Sequence, residues 1–231
     1  MVNGQNHKGS TYHIGKMLID KIDGENTVTE FFLPKDFNEF CCGCTTCFMK
    51  GERLCPHFKK LEPITNAIDE ADLLIFTSPV YVYHATGSMK ALLDHYGWRW
   101  IVHRPDERMF SKRAVVIATA AGGGMKSTIR DIKDSLIFWG VPKVYTLGKA
   151  VMACSWDEVT DKKRQSLEKK TSKISAKLSK ENFKAKASLK GRFFFTAMHF
   201  ANKHGWNKAD AEYWKAKGWT EKVRPFSMHN S

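Results

Sequence analysis

Apolar positions in the first 150 residues fall into two patterns that alternate along the chain. Short runs at Thr27–Leu33, Leu73–Phe76, Ala114–Thr119 and Lys143–Leu147 read as strands, and segments near 10–22, 62–70, 87–97 and 127–139 set apolar residues at helical spacing. The runs at 73–76 and 114–119 do not alternate with polar residues, which suits strands buried on both faces of a parallel sheet. Strands interleaved with helices in this way predict an α/β fold, a doubly wound parallel sheet flanked by helices. One element fits badly. Only Met1 and Val2 precede Asn3-Gly4, where a strand of about five residues is usual, so the first strand is a stub or the recorded start falls a few residues late.

Beyond Met152 the pattern changes. A Lys-rich helix is predicted over about 157–180, followed by the aromatic segment GRFFFTAMHFANKHGW and then ADAEYWKAKGW. The chain therefore divides into an α/β domain over 1–150 and a helical extension over 151–231, packed on that domain or on a second subunit. Phe193, Phe194, Phe195 and Phe200 with Trp206, Trp214 and Trp219 read as core or subunit packing rather than as a ligand box.

The formal net charge is +13, and it is unevenly spread: residues 1–160 carry 19 Lys+Arg against 18 Asp+Glu, and residues 161–231 carry 18 against 6. A nucleic-acid surface would interleave these bases with stacking aromatics. The stretch from Lys162 to Lys190 holds one aromatic, Phe183, and sets its lysines all around a helix, so a solvated helix is the better reading. No run of about 18 apolar residues and no apolar stretch near the N-terminus supports a membrane span or a secretory leader, and a cytoplasmic location is expected.

Five of the six cysteines, Cys41, Cys42, Cys44, Cys47 and Cys55, crowd into one short segment. A disulfide framework spreads its cysteines to staple distant segments, so this crowding points to metal, cluster or redox chemistry. Cys154 stands apart and reads as a buried apolar residue.

Three polar loops follow the predicted strands, where open α/β sheets bind ligands. Asn3–Tyr12 runs into a helix whose first amides, with Lys8, Ser10 and Thr11, could hold a phosphate or simply cap the helix. Thr77–Gly87 carries Pro79, Tyr81 and Tyr83, suited to stacking on a planar ring. His84 lies beside it and reads first as a satisfied or exposed side chain. Thr119–Met125 contains Gly122, Gly123 and Gly124, which let backbone approach a ligand closely.

In their order and spacing, NG-x4-GST at 3–11, EADLLIFTSPVY at 70–81, TGSMKALLDH at 86–95 and TAAGGG at 119–124 resemble the flavodoxin-like NAD(P)H-dependent FMN reductase family. The resemblance covers about residues 1–150. It implies FMN as cofactor, with its phosphate held by Lys8, Ser10, Thr11 and Tyr12 and its ring between Ser78, Pro79, Val80, Tyr81 and Val82 on one side and Ala121, Gly122, Gly123 and Gly124 on the other. It also implies NAD(P)H as co-substrate, and a quinone, free flavin, nitro compound or protein as electron acceptor. Gln5-Asn6 departs from the Ser-Pro that many members carry there.

Setting Cys42 aside, Cys41, Cys44, Cys47 and Cys55 follow C-x2-C-x2-C-x7-C, a spacing similar to that of iron–sulfur flavoproteins of the same superfamily. That similarity implies a [4Fe–4S] cluster on four thiolates. A purely structural or site-lining loop and a four-thiolate zinc site are the alternatives. The aromatic extension implies a homodimer or higher homo-oligomer.

Overall fold

The computed structural model describes residues 1–180, 187–205 and 207–226. Its elements in chain order are β1 (Val2–Asn3), α1 (Ser10–Ile19), β2 (Phe31–Phe32), α2 (Thr46–Met49), α3 (Phe58–Glu70), β3 (Leu73–Pro79), α4 (Gly87–Asp94), β4 (Arg113–Ala120), α5 (Met125–Phe138), β5 (Lys143–Ala150), α6 (Asp161–Lys180), α7 (Leu189–Lys203) and α8 (Lys208–Ala216). All strand pairs are parallel, in the order β2-β1-β3-β4-β5. This is the flavodoxin-like order, with its reversal between β1 and β3.

The two central strands explain the layering. Leu74, Phe76, Ala114 and Val116 face one way, onto Leu61 and Ile64 of α3, Leu92 of α4 and Ile132 of α5. Ile75, Val115 and Ile117 face the other, onto Ile14 and Leu18 of α1 and Leu167 and Leu178 of α6. Successive residues of one strand thus feed two cores, which is why these runs could not alternate.

Several expectations need correction. The strand read over Thr27–Leu33 pairs only at Phe31 and Phe32, because β1 offers only Val2 and Asn3 as partners. The helix read from 62 starts at Phe58. Pro63, a residue that marks helix starts, lies inside it, and Leu61 already belongs to its buried stripe. The lysines of α6 do not surround it evenly: Leu167, Thr171, Ser175 and Leu178 form one buried face. Cys154 is exposed, in the bend after β5 that follows the left-handed Met152.

Part of the aromatic segment folds back onto its own chain. Phe195, Trp214 and Trp219 are buried with Ile101 and Phe110, and the Phe195 ring lies 4.6 Å from that of Trp214. Phe193 and Phe200 remain exposed. Phe183 and Trp206 lie outside the described residues. Among the described residues, no helix is long and apolar enough to cross a membrane.

Candidate functional site

The three sequence-singled loops meet at the carboxyl edge of the sheet, beside the reversal in strand order. Hydrogen bonds join the first to the second. Gly4 N–H donates to the Thr77 carbonyl at 2.7 Å, and the Gly4 carbonyl accepts from Thr86 Oγ1 at 2.6 Å and Ser88 Oγ at 3.2 Å. Thr86 Oγ1 also caps α4 by accepting from Met89 N–H, and Thr86 N–H donates to Ser78 Oγ. One buried threonine therefore holds the first loop, the second loop and the start of α4 together.

The first loop ends at Gly9, the N-cap of α1, which makes no side-chain cap. The amides of Ser10, Thr11 and Tyr12 form the helix's first turn, where no preceding helical carbonyl can accept from them. Thr11 and Tyr12 are buried and Ser10 is partly open, while Lys8 Nζ lies 5.4 Å from the Tyr12 ring. These donors and this cation suit an anion.

The second loop is a tight hairpin. Tyr81 and His84 exchange backbone hydrogen bonds, and the two residues between them, Val82 and Tyr83, are left-handed at φ 48° and 66°. Such angles are disfavoured, above all for a β-branched valine, so the surroundings must impose them. Asp131 of α5 does part of this, accepting from Ala85 N–H at 3.1 Å and pairing with His84 Nδ1 at 3.0 Å. Val82 is 94% and Tyr83 68% exposed. The turn therefore projects an apolar side chain and an aromatic face at the sheet edge.

The third loop closes against the second. Gly124 has φ 89°, and a Cβ there would meet Val80 Cγ1 at 2.5 Å and Tyr83 Cα at 3.0 Å. A Cβ on Gly123 would meet the Tyr83 hydroxyl at 3.5 Å, whereas Gly122 faces open space. Val80 N–H donates to the Thr119 carbonyl at 2.8 Å, fixing the two loops side by side. First-turn amides, an exposed aromatic turn and a glycine rim therefore lie along one edge. That combination fits a ligand with a phosphate and a flat ring.

A cavity of about 630 Å3 opens at the opposite end of the sheet, lined by Ile19, Ile22, Val28, Leu73 and Leu74. It is the space beside β1, which reaches along β3 only as far as Phe76 and Thr77 and leaves Leu73–Ile75 unpaired on that side. The loops described above do not reach it.

The cysteine segment forms a separate feature under α8. Gly43 and Thr45 take left-handed conformations, which fold it compactly. Cys41, Cys42 and Cys44 are exposed and Cys47 and Cys55 half-buried. Burial raises the Cys47 and Cys55 thiols above their ordinary range, and the charge of neighbouring cysteines raises them further. Hydrogen bonding from Thr46 lowers Cys44. The cysteines of this compact segment supply thiols of the kind that hold a metal or cluster.

Sequence reasoning missed what holds this segment. Buried Arg104 donates to the carbonyls of Cys47 and Phe48 and pairs with Asp210 of α8, and Asp210 also accepts from His103 Nδ1 at 2.8 Å. About a hundred residues separate the partners, so no local pattern could have shown them.

The class of protein is thus a flavodoxin-like α/β protein with three polar loops gathered at the carboxyl edge of its sheet. The profile of the NADPH-dependent FMN reductase family matches residues 1–158, and the chain belongs to that family. It is an oxidoreductase. An iron-sulfur flavoprotein of Archaeoglobus fulgidus is 29% identical over 193 residues, covering 78% of this chain and 79% of that one. An iron-sulfur flavoprotein of Methanocaldococcus jannaschii is 26% identical over 185 residues, 72% of this chain and 91% of that one. Among solved structures, an NAD(P)H:quinone oxidoreductase of Methanothermobacter marburgensis superposes with a TM-score of 0.60 at 16% identity, covering 77% of this chain and 94% of that one. An FMN-dependent NADH-azoreductase of Bacillus anthracis does so at 0.57 and 12%, covering 77% and 97%. These last two show the fold.

Proposed function

We propose that the chain is an FMN-dependent NAD(P)H oxidoreductase that delivers electrons to a quinone, flavin, nitro compound or protein acceptor. The observation that carries this reading is the meeting of the three loops at the strand-order reversal, in a chain of this family. Lys8, Ser10, Thr11 and Tyr12 hold the phosphate by charge and first-turn amides. Ser78 through Val82 lie along the ring, with Tyr83 beside them, and Ala121 through Gly124 line its other edge. FMN, when bound, supplies the hydride and electron chemistry. The protein's part is to hold the ring and leave one face open for the nicotinamide. In this reading residues 1–150 carry the flavin site, and in the extension over 151–231 α6 covers the sheet while α8 braces the cysteine segment.

A second reading is favoured by the cysteine segment and by relatives described as iron-sulfur flavoproteins. Here Cys41, Cys44, Cys47 and Cys55 hold a [4Fe–4S] cluster and the protein passes single electrons. One preparation tests both. Anaerobically purified protein should show a flavin spectrum with about one FMN per chain, and Ser10→Ala with Thr11→Ala should weaken FMN binding by about 1–3 kcal/mol through lost charge-assisted bonds. Colourless protein, or unchanged affinity in the pair, would sink the flavin assignment. Iron and acid-labile sulfide in equal amounts would establish the second reading, and their absence would end it.

The dimer reading also belongs here. Leu189, Phe193 and Phe200 share one face of α7 and are all exposed, at 85%, 70% and 58%. A second subunit would cover that row. Phe193→Glu should turn a dimer into a monomer in sedimentation, and a monomeric wild type would refute the idea.

A further inference from the structure

Cys55 stands beside two histidines. Its thiol, a ring nitrogen of His57 and a ring nitrogen of His95 all lie within 4.8 Å of one another. Cys55 and His57 stand just before α3, His57 being its N-cap, and His95 is the C-cap of α4. Three ligand-type side chains from two separate elements thus converge at one point. His95 is buried and the other two are half-buried.

The orientation of the two imidazoles is informative. His95 Nδ1 lies 2.7 Å from the Ala91 carbonyl, which can only accept, so Nδ1 carries the proton and Nε2 presents a lone pair. That Nε2 faces His57 Nδ1 at 2.9 Å. The far nitrogen of His57, Nε2, points toward the Glu39 carboxylate at 3.7 Å, and Lys60 holds that carboxylate in turn. Each ring therefore has an acceptor behind it, a carbonyl for one and a carboxylate for the other. For His95 this is the arrangement that orients a metal-ligating histidine, its distal N–H tied to an outer acceptor; for His57 the carboxylate stands where it could accept such a proton.

The distances fit a tetrahedral ion. Zinc bonds of ~2.0–2.1 Å to nitrogen and ~2.3 Å to sulfur set ligand atoms about 3.3–3.6 Å apart. The present nitrogen pair, closed by a hydrogen bond, is slightly tighter, and the outer bound on the three atoms is slightly looser. Small side-chain rotations reconcile both.

We infer that Cys55, His57 and His95 form a binding site for one zinc-like divalent ion, with Glu39 as the outer partner of His57. On binding, the Cys55 thiol releases its proton to solvent, and the His57 proton moves from Nδ1 to Nε2, where Glu39 accepts it. No electron is transferred. Three protein ligands leave a fourth position for water or an added ligand. The ion would fasten the cysteine segment to the end of α4, whose start is held by Thr86 at the candidate flavin edge. This site does not depend on the flavin assignment. It competes with a four-thiolate cluster for Cys55, and the test separates the two.

Anaerobically purified full-length protein, supplied with zinc chloride and desalted, should retain about one zinc per chain, measured by elemental analysis alongside iron and FMN. Competition with a chromophoric chelator should show binding 10- to 100-fold weaker in Glu39→Gln, the range for loss of an outer partner. It should be weaker still in His57→Gln and His95→Gln, and unchanged in Cys41→Ser. His57 is half-exposed, so its variant keeps the test open if the buried His95 variant misfolds. Zinc that is absent from wild type, indifferent to both histidines, or lost in Cys41→Ser would overturn the site, the last result placing the ion among the thiolates instead. FMN content reports separately on the flavin reading.

Discussion

Gly124→Ala is expected to destabilise the protein by roughly 2–5 kcal/mol, because a left-handed alanine costs ~1–2 kcal/mol and overpacking typically adds ~1–3. Both contributions apply at this position. Its φ is 89°, and the new methyl would stand 2.5 Å from Val80 Cγ1 and 3.0 Å from Tyr83 Cα. Neither neighbour can give way easily. Val80 is tied by its N–H to Thr119, and Tyr83 sits in a left-handed turn whose far side is held by Asp131. The methyl would push apart the second and third loops, so FMN retention should fall together with stability. In a chain of this size each kcal/mol lowers the melting temperature by about 2–4 °C, which makes the loss easy to measure.

Gly122→Ala supplies the control. Gly122 lacks a positive φ and its Cβ would meet nothing within 4 Å, so stability should change by less than about 0.5 kcal/mol. If Gly122→Ala leaves the fold intact yet weakens FMN binding, the open space beside Gly122 belongs to the ligand. A Gly124→Ala protein that melts normally and keeps its flavin would show that the two loops do not depend on their contact.

What the sequence showed well was governed by local rules. The apolar runs at 73–76 and 114–119 became the central strands because burial on two faces leaves no room for polar alternation. The three loops were readable for a similar reason, since glycine, proline and hydroxyl residues punctuate the chain after strands. The buried face of α6 was hidden by chemistry. Two of its four members are Thr171 and Ser175, which satisfy their hydroxyls on the Leu167 and Glu168 carbonyls and on the Lys21 carbonyl, and so occupy apolar positions without an apolar signature. The facing histidines and the Arg104–Asp210 pair were hidden by distance along the chain, because a contact between remote segments leaves no period to read.

That pair carries the other large effect. Asp210 is completely buried on α8, and it pairs with Arg104, which is itself buried and, among the described residues, has no other carboxylate so close. Removing one partner of a buried pair costs about 3–5 kcal/mol, since the remaining charge loses its counterion in a place water cannot reach. Asp210→Ala should therefore melt well below wild type. Asp210→Asn, which keeps an acceptor for Arg104, should lose less. The consequence reaches beyond α8, because the same guanidinium donates to the Cys47 and Phe48 carbonyls and so fixes the half-buried end of the cysteine segment. With Asp210 gone, Arg104 is free to turn toward Glu52, now 3.7 Å from its Nε, and the cysteine segment loses an anchor. Cys47 should then alkylate faster than in wild type at a temperature where both proteins remain folded. Exposed Cys154, far from this contact in sequence, serves as the internal reference in the same mass-spectrometric measurement. A variant that melts within about 1 kcal/mol of wild type, with Cys47 reacting at an unchanged rate relative to Cys154, would mean that Arg104 holds the segment without help from the C-terminal helix.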